Sequence, residues 1–223
     1  MRGLATGTLR VGTTASTSAS VFPRILASYL QRWPNLQVEA VEGVHEHLAQ
    51  ALANYEVDLI FATDARDTTE IVSIKDCRWM EDVSVVVGAA HPLAQKADAA
   101  TLEDLRDARW ALVPLGTEPR ERLLHLFAAQ GLDPPRTLVS TTSIQLLKRM
   151  VIHANLVTWL TTPMYEAERQ AGTMVPIPVQ GLSETRRFTV FRRRQGVLPR
   201  PASSMVEEIR AHLQIDPAAK SRL

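Results

Sequence analysis

The chain has 223 residues, 45% of them hydrophobic, and its 25 Lys and Arg against 24 Asp and Glu leave a formal charge of +1. That length holds one large or two modest domains with real cores, and the near-zero charge excludes a whole-chain field that recruits nucleic acid or an anionic membrane. Cys77 is the single cysteine, which excludes an internal disulfide and fits a reducing interior; no apolar run reaches the roughly 20 residues of a membrane-spanning helix, so the chain reads as soluble and cytoplasmic.

The first sixty residues read as strand, helix, strand, helix, strand. Apolar runs at 9–11, 38–41 and 59–61 are each followed by polar or Gly residues that lead toward helical spacing, with the first helix at 21–33. Connections of that length require crossover helices and hence a parallel sheet covered on both faces. A polar stretch at 63–70 precedes a strand at 71–76 and a strongly apolar one at 83–88, where the alternation lapses and a domain boundary falls. A short helical turn at 102–106 opens a second series with the same grammar. It has strands at 110–114, 138–140 and 156–160, and helices at 118–130, 143–153 and 163–171, the first closed by Gly131 and the last by Gly172. A strand at 174–178, a long strand at 186–192 and an amphipathic helix at 202–213 cannot make a domain alone, so they are expected to complete the first sheet. The fold class is therefore α/β, with residues 1–80 and 175–223 in a first lobe and 81–174 in a second. Two crossings between the lobes make a hinge, and a cleft between them is the expected site for a small molecule. The tail from 216 is polar and expected to fray, and the start at Met1 reads as cut from a longer parent or re-initiated.

Open sheets bind ligands at the carboxyl edge of their strands. At the first such edge Thr13, Thr14, Ser16, Thr17 and Ser18 form a run of hydroxyls ahead of a helix, a setting that suits a carboxylate, sulfate or phosphate, although one of these side chains can equally serve only as a helix cap. His45 and His47, near Glu42 and Glu46, raise the question of a metal. Residues two apart on a helix point to different faces, so the pair does not share an ion, and no metal or cofactor is expected. Arg192, Arg193 and Arg194 read as a solvated strand end, Arg120 and Arg122 as surface or dimer-rim residues, and Cys77 as a strand-end residue. No G-x-S-x-G elbow, P-loop or metal-protease motif is present, so the chain does not read as an enzyme.

Read in order, GTLRVG at 7–12, FPRILASYLQRWPNLQVEAVEG at 22–43, LAQALANYEVDLIFA at 48–62, HPLA at 91–94, LEDLRDARWALVP at 102–114 and RERLLHLFAAQGLDP at 120–134, followed by the run 139–163, resemble the effector-binding domain of LysR-type transcriptional regulators. The resemblance implies a two-lobed, periplasmic-binding-protein-like (type 2) fold, each lobe a mixed sheet flanked by helices and joined by two crossover strands. It implies a sensor whose parent contacts DNA through a winged helix-turn-helix that precedes this module and is missing here, with association into homodimers or homotetramers through the helices at 21–33 and 118–130. Carried over by position, effector contact falls to Thr14, Ser16 and Thr17; to Val44 and His45; to Gly116 and Thr117; to Thr141, Thr142 and Ser143; and to Thr161, Thr162 and Pro163. This set is short of fixed charge, so hydroxyls, backbone N–H groups and helix dipoles would hold a small carboxylate-like anion. His45, at a helix start, would couple binding to pH.

Two departures from the family pattern stand out. The chain has His153, Ala154 and Asn155 where a glycine-rich turn is usual, Asn being able to take the left-handed conformation less readily than Gly, and TWLTTP at 158–163 places two threonines before the proline. The alternative on the same plan is a free-standing solute-binding protein of a transport system, which needs a secretion signal that the start of the chain does not display.

Overall fold

The structure, a computed structural model, describes residues 7–95 and 100–215; the expectations for Met1 and for the tail from 216 lie outside them. In chain order the elements are β1 (Gly7–Thr13), α1 (Ala15–Ala19), α2 (Val21–Arg32), β2 (Leu36–Glu42), α3 (His45–Ala53), β3 (Leu59–Thr63), β4 (Ile71–Gly88), a 3-10 turn at Pro92–Gln95, α4 (Leu102–Arg106), β5 (Trp110–Leu112), α5 (Glu118–Ala129), β6 (Thr137–Ser140), α6 (Ile144–Ala154), β7 (Thr158–Thr161), α7 (Thr162–Gln170), β8 (Met174–Ile177), β9 (Glu184–Arg193) and α8 (Arg200–Ile215). They form two compact units: residues up to Glu81 with those from Arg186 onward, and Asp82–Thr185.

In the first unit β1 lies between β2 and β3, parallel to both, and β9 runs antiparallel to β3 and next to β4. Helices cover both faces, which is why β3 is apolar on both sides rather than alternating. On one face α2 buries Val21, Phe22, Ile25 and Tyr29, at the spacing of one helical stripe, against Leu9, Val11 and Phe61 and against Met205, Val206 and Ile209 of α8. Tyr29 donates its hydroxyl to the carbonyl of Pro201 at 2.9 Å, and burial pushes its pKa up to about 12. On the other face Leu48 and Leu52 of α3 pack with Ile60, Ala62 and Phe191. Gly12 makes this closeness possible, since a Cβ there would lie 2.9 Å from both Ile60 Cγ2 and Leu48 Cδ2.

In the second unit β5 and β6 are parallel, Trp110 bridges to Val157 in the parallel sense, and β7 and β8 each run antiparallel to β4. Trp110 is fully buried edge-on against Phe127 of α5, and Trp159 donates its indole N–H to the carbonyl of Leu182 at 2.8 Å. Gly88 lets α6 approach the sheet, because a Cβ there would meet the Val151 carbonyl oxygen at 3.0 Å. At the end of α6 Asn155 takes the left-handed conformation, φ 50°, that a glycine usually supplies.

Three expectations change. The two strands at 71–76 and 83–88 are one 18-residue strand, because inward parity continues through the charged stretch: Cys77, Trp79, Glu81 and Val83 are all buried, with Trp79 packed by Phe61 and Phe188. Cys77 therefore sits mid-strand, where burial raises its thiol pKa to about 12. The strand at 174–178 does not return to the first unit. As β8 it pairs with Val85–Gly88 of β4, and the chain re-enters the first unit at Arg186 rather than at 175.

Candidate functional site

The hydroxyl run leads into the five-residue α1 instead of directly into the longer helix at 21–33. Its hydroxyls are committed within the fold. Thr17, fully buried, directs its Oγ1 at the carbonyls of Phe61 and Thr14, each at 3.0 Å; Thr13 and Ser18 bond each other at 2.8 Å; and Thr14 Oγ1 lies 3.3 Å from Thr17 Oγ1. Ser16 donates to the Glu81 carboxylate, whose other oxygen accepts the indole N–H of Trp79 at 2.9 Å. Beside them, the Gly43 N–H donates to the Thr13 carbonyl at 3.0 Å, which holds the start of α3 against the end of β1. Val44 takes the cap position there, and the half-buried His45 sets its ring edge-on to Phe191, with centroids 5.4 Å apart.

In the second unit β6, β5 and β7 are parallel neighbours, so α6, α5 and α7 all start at the same sheet edge. The three starts differ in charge. At α5 the Gly116 N–H donates to Glu121 Oε1 at 2.9 Å, Thr117 turns its hydroxyl to the Pro114 carbonyl at 2.7 Å, and Glu118 and Glu121 stand in the first turn. Gly116 and Thr117 are thus used by the loop itself, beside two acidic side chains that disfavour an anion. The first turns of α6 and α7 carry no acidic residue, so the positive ends of their dipoles are uncompensated there.

At α6 the Thr141 N–H donates to the Leu112 carbonyl at 3.0 Å, Thr141 Oγ1 accepts from Ser143 N at 3.0 Å, and Ser143 Oγ accepts from Leu146 N at 3.3 Å; Thr142 is exposed. At α7 Thr161 is buried in the cap position, Thr162 donates to the Asp82 carbonyl at 3.3 Å, and Pro163 fills a first-turn site where an N–H has no helical partner to lose. Each start is a set of first-turn amides edged with hydroxyls, suited to the oxygens of a small acid.

The LysR substrate-binding domain family matches residues 2–214. The chain belongs to that family. Within the LysR substrate-binding domains, it is 29% identical over 182 residues to the uncharacterized HTH-type transcriptional regulator YeiE of Escherichia coli, covering 80% of this chain and 60% of that protein. It is 26% identical over 215 residues to the HTH-type transcriptional regulator GltR of Bacillus subtilis, covering 94% and 68%. The chain thus spans about three fifths of the length of YeiE. Among solved structures, the regulatory domain of Synechocystis CcmR in complex with 2-PG superposes with a TM-score of 0.82 at 18% identity, covering 92% of this chain and 97% of that one. The effector-binding domain of QuiR with shikimate superposes with a TM-score of 0.80 at 14% identity, covering 98% and 100%. At those identities the superpositions establish the type of fold, the two-unit α/β plan of LysR effector-binding domains, and nothing about the ligand.

Sequence reasoning missed the side chains that organise these regions. Glu81 and Trp79 complete the Ser16 network. The inward parity that β4 keeps through this charged stretch was the available signal. Arg120, expected at the surface, is buried, with Nη2 donating to Thr137 Oγ1 at 2.6 Å and with Nε and Nη1 lacking a partner among the described residues. Arg193, expected as part of a solvated strand end, holds the Leu52 and Val57 carbonyls at 3.2 and 2.6 Å and lies over the Tyr55 ring at 4.4 Å.

Proposed function

We propose that this domain is the ligand-sensing part of a LysR-type transcriptional regulator and that the helix starts described above hold a small, acidic effector. Thr14, Ser16, Thr17, Val44 and His45 supply the first unit's contacts, and Thr141, Thr142, Ser143, Thr161, Thr162 and Pro163 the second's; Gly116 and Thr117 shape the adjoining loop. The observation that carries this reading is that the α6 and α7 starts, at one sheet edge, are both edged with hydroxyls and free of first-turn carboxylates. Relatives named as transcriptional regulators favour a sensor over a transport component or an enzyme, and shikimate and benzoate, the ligands named with two structural neighbours, are carboxylates.

In the parent protein the domain acts as a homodimer or homotetramer in the cytoplasm, with α2 and α5 at subunit contacts, and reaches DNA through a winged helix-turn-helix outside this chain. Effector shifts the balance of domain states only as far as its affinities for them differ. Thermal-shift screening against carboxylates, aromatic acids and sulfonates tests the reading, since a ligand selective for the native state raises the melting point. Thr14→Val, Ser16→Ala and Thr142→Val each reduce the shift; a shift unchanged in all three variants removes the site assignment.

A further inference from the structure

Asp64 stands just past the carboxyl end of β3, on the edge where the Phe61 carbonyl accepts the Thr17 hydroxyl. Its N–H donates to the Arg187 carbonyl at 2.8 Å, so the end of β3 stays paired with the start of β9, and β4 is the next strand. Two guanidinium groups from these strands converge on one oxygen of its carboxylate. Arg78 Nε lies 3.5 Å and Arg187 Nη1 3.7 Å from Asp64 Oδ2. Both are ion-pair distances, too long for good N–H···O hydrogen bonds.

The two arginines therefore keep most of their donors. The Arg187 side chain makes no hydrogen bond among the described residues, and Arg78 makes one, from Nη2 to Ser73 Oγ at 3.4 Å, with its Nε unbonded. Their charge is not balanced. Two cations share Asp64, and Asp67, the other carboxylate close enough to feel Arg78, is engaged by the Ser73 N–H at 2.8 Å and by Arg194 at 3.9 Å. Nor are they shut in, for the Arg78 and Arg187 side chains are 35% and 49% exposed against 16% for Asp64. Exposed guanidinium forks with unused donors match the paired oxygens of a carboxylate, sulfate or phosphate group.

We infer that Arg78 and Arg187 form an anion site on the first unit, in which Asp64 draws the two guanidinium groups together and a bound carboxylate, sulfate or phosphate group takes their remaining donors. The ligand is a free inorganic anion or the acid group of an organic effector; in the second case the site adds fixed positive charge to an edge lined with hydroxyls. It stands whether or not the helix starts hold an effector.

The test is a titration of the isotopically labelled domain, at constant ionic strength in sodium chloride, with sulfate, inorganic phosphate, lactate, succinate and benzoate in turn. It is followed through the arginine Nε–H and the backbone amide resonances. At least one of these anions is expected to move the Arg78 and Arg187 Nε–H signals together and saturably. Arg78→Gln and Arg187→Gln each weaken that binding by about tenfold or more, the loss of charge-assisted hydrogen bonds. Asp64→Asn, which removes the competing negative charge at nearly the same shape, tightens it. Arg187, half exposed and without a hydrogen bond, keeps the test open if Arg78→Gln does not fold.

Movement with sulfate or phosphate supports the site as one for a free anion, and movement with the organic acids alone supports it as the seat of an effector's acid group. No saturable movement of the two signals with any of the five anions overturns the inference, as does binding that both glutamine variants leave at wild-type affinity. An organic acid that shifts the α1 amides while both arginine signals stay still overturns this site and leaves the effector reading in place.

Discussion

Lys148 of α6 and Glu168 of α7 meet at 2.7 Å with the lysine side chain 10% and the glutamate 22% exposed, so two helices of the second unit are tied together by a largely buried ion pair. Glu168 Oε2 has no hydrogen-bond partner among the described residues, which makes the carboxylate dependent on the contact of Lys148 with Oε1. Lys148→Met is expected to destabilise the domain by about 2 kcal/mol in urea unfolding, because it leaves a charge with little water around it and no counter-ion. The double variant Lys148→Met/Glu168→Leu should recover most of that loss, and additive losses would show that the pair is not coupled.

His91 predicts a pH dependence. Its Nδ1 accepts the Leu93 N–H at 3.1 Å, which requires an unprotonated nitrogen, and burial, assisted by the positive charge of Arg109, holds its pKa below the ordinary histidine value. The unfolded chain, with a histidine pKa of about 6.5, takes up the proton first as pH falls. The contribution is therefore complete above about pH 6.5 and is lost as pH drops through the folded pKa. His91→Asn, whose Oδ1 can accept the same N–H, should flatten the difference in unfolding free energy between pH 7.5 and 5.5; an unaltered slope assigns the acid sensitivity to other groups.

Arg120 predicts a gain or no loss on removal of a charge. Its guanidinium is buried with a threonine hydroxyl as its acceptor and, among the described residues, no carboxylate in an ion pair with it, and desolvation lowers its pKa against a smaller raising effect of the Glu121 charge. Buried charges without good compensation are often replaced by apolar side chains at no cost. Arg120→Met should leave the melting temperature of the domain unchanged or higher, and a loss above about 2 kcal/mol would mean that the guanidinium bonds support the fold.

The order of elements was legible because it depends on local pattern: the runs that became β1, β3, β5 and β7 and the stripes of α2, α5 and α6 lie within a few residues of where hydrophobic spacing puts them. What was not legible depends on partners distant in sequence. β8 is a short strand with no feature that distinguishes pairing with β4 from pairing in the first sheet, and β4 hides its continuity behind Asp76, Arg78, Glu81 and Asp82, whose charges mimic a loop although Cys77, Trp79, Glu81 and Val83 alternate inward. Arg120 and Arg193 misled for the same reason. A long side chain on an amphipathic element reads as solvated until the carbonyls, hydroxyls and rings that receive it are known.

At the candidate site, position and resemblance name the residues, but the hydrogen bonds they make were not legible. The sequence displays five hydroxyls around α1; the structure shows them bonded to Phe61, Thr14, Glu81 and one another, which changes what they can offer a ligand. Nor did the sequence rank the second unit's helix starts, because Glu121 caps the Gly116 amide by folding back over five residues.

The most direct test of the central claim is an NMR titration of the isotopically labelled domain with the acid that gives the largest thermal shift, followed through backbone amide resonances. The account predicts that the largest perturbations fall on Ser16 and Thr17 at α1 and on Thr142 to Leu146 and Met164 at the starts of α6 and α7, with the far end of α5 from Phe127 to Ala129 unmoved. Saturable perturbations centred elsewhere, with those helix-start amides silent, would contradict it.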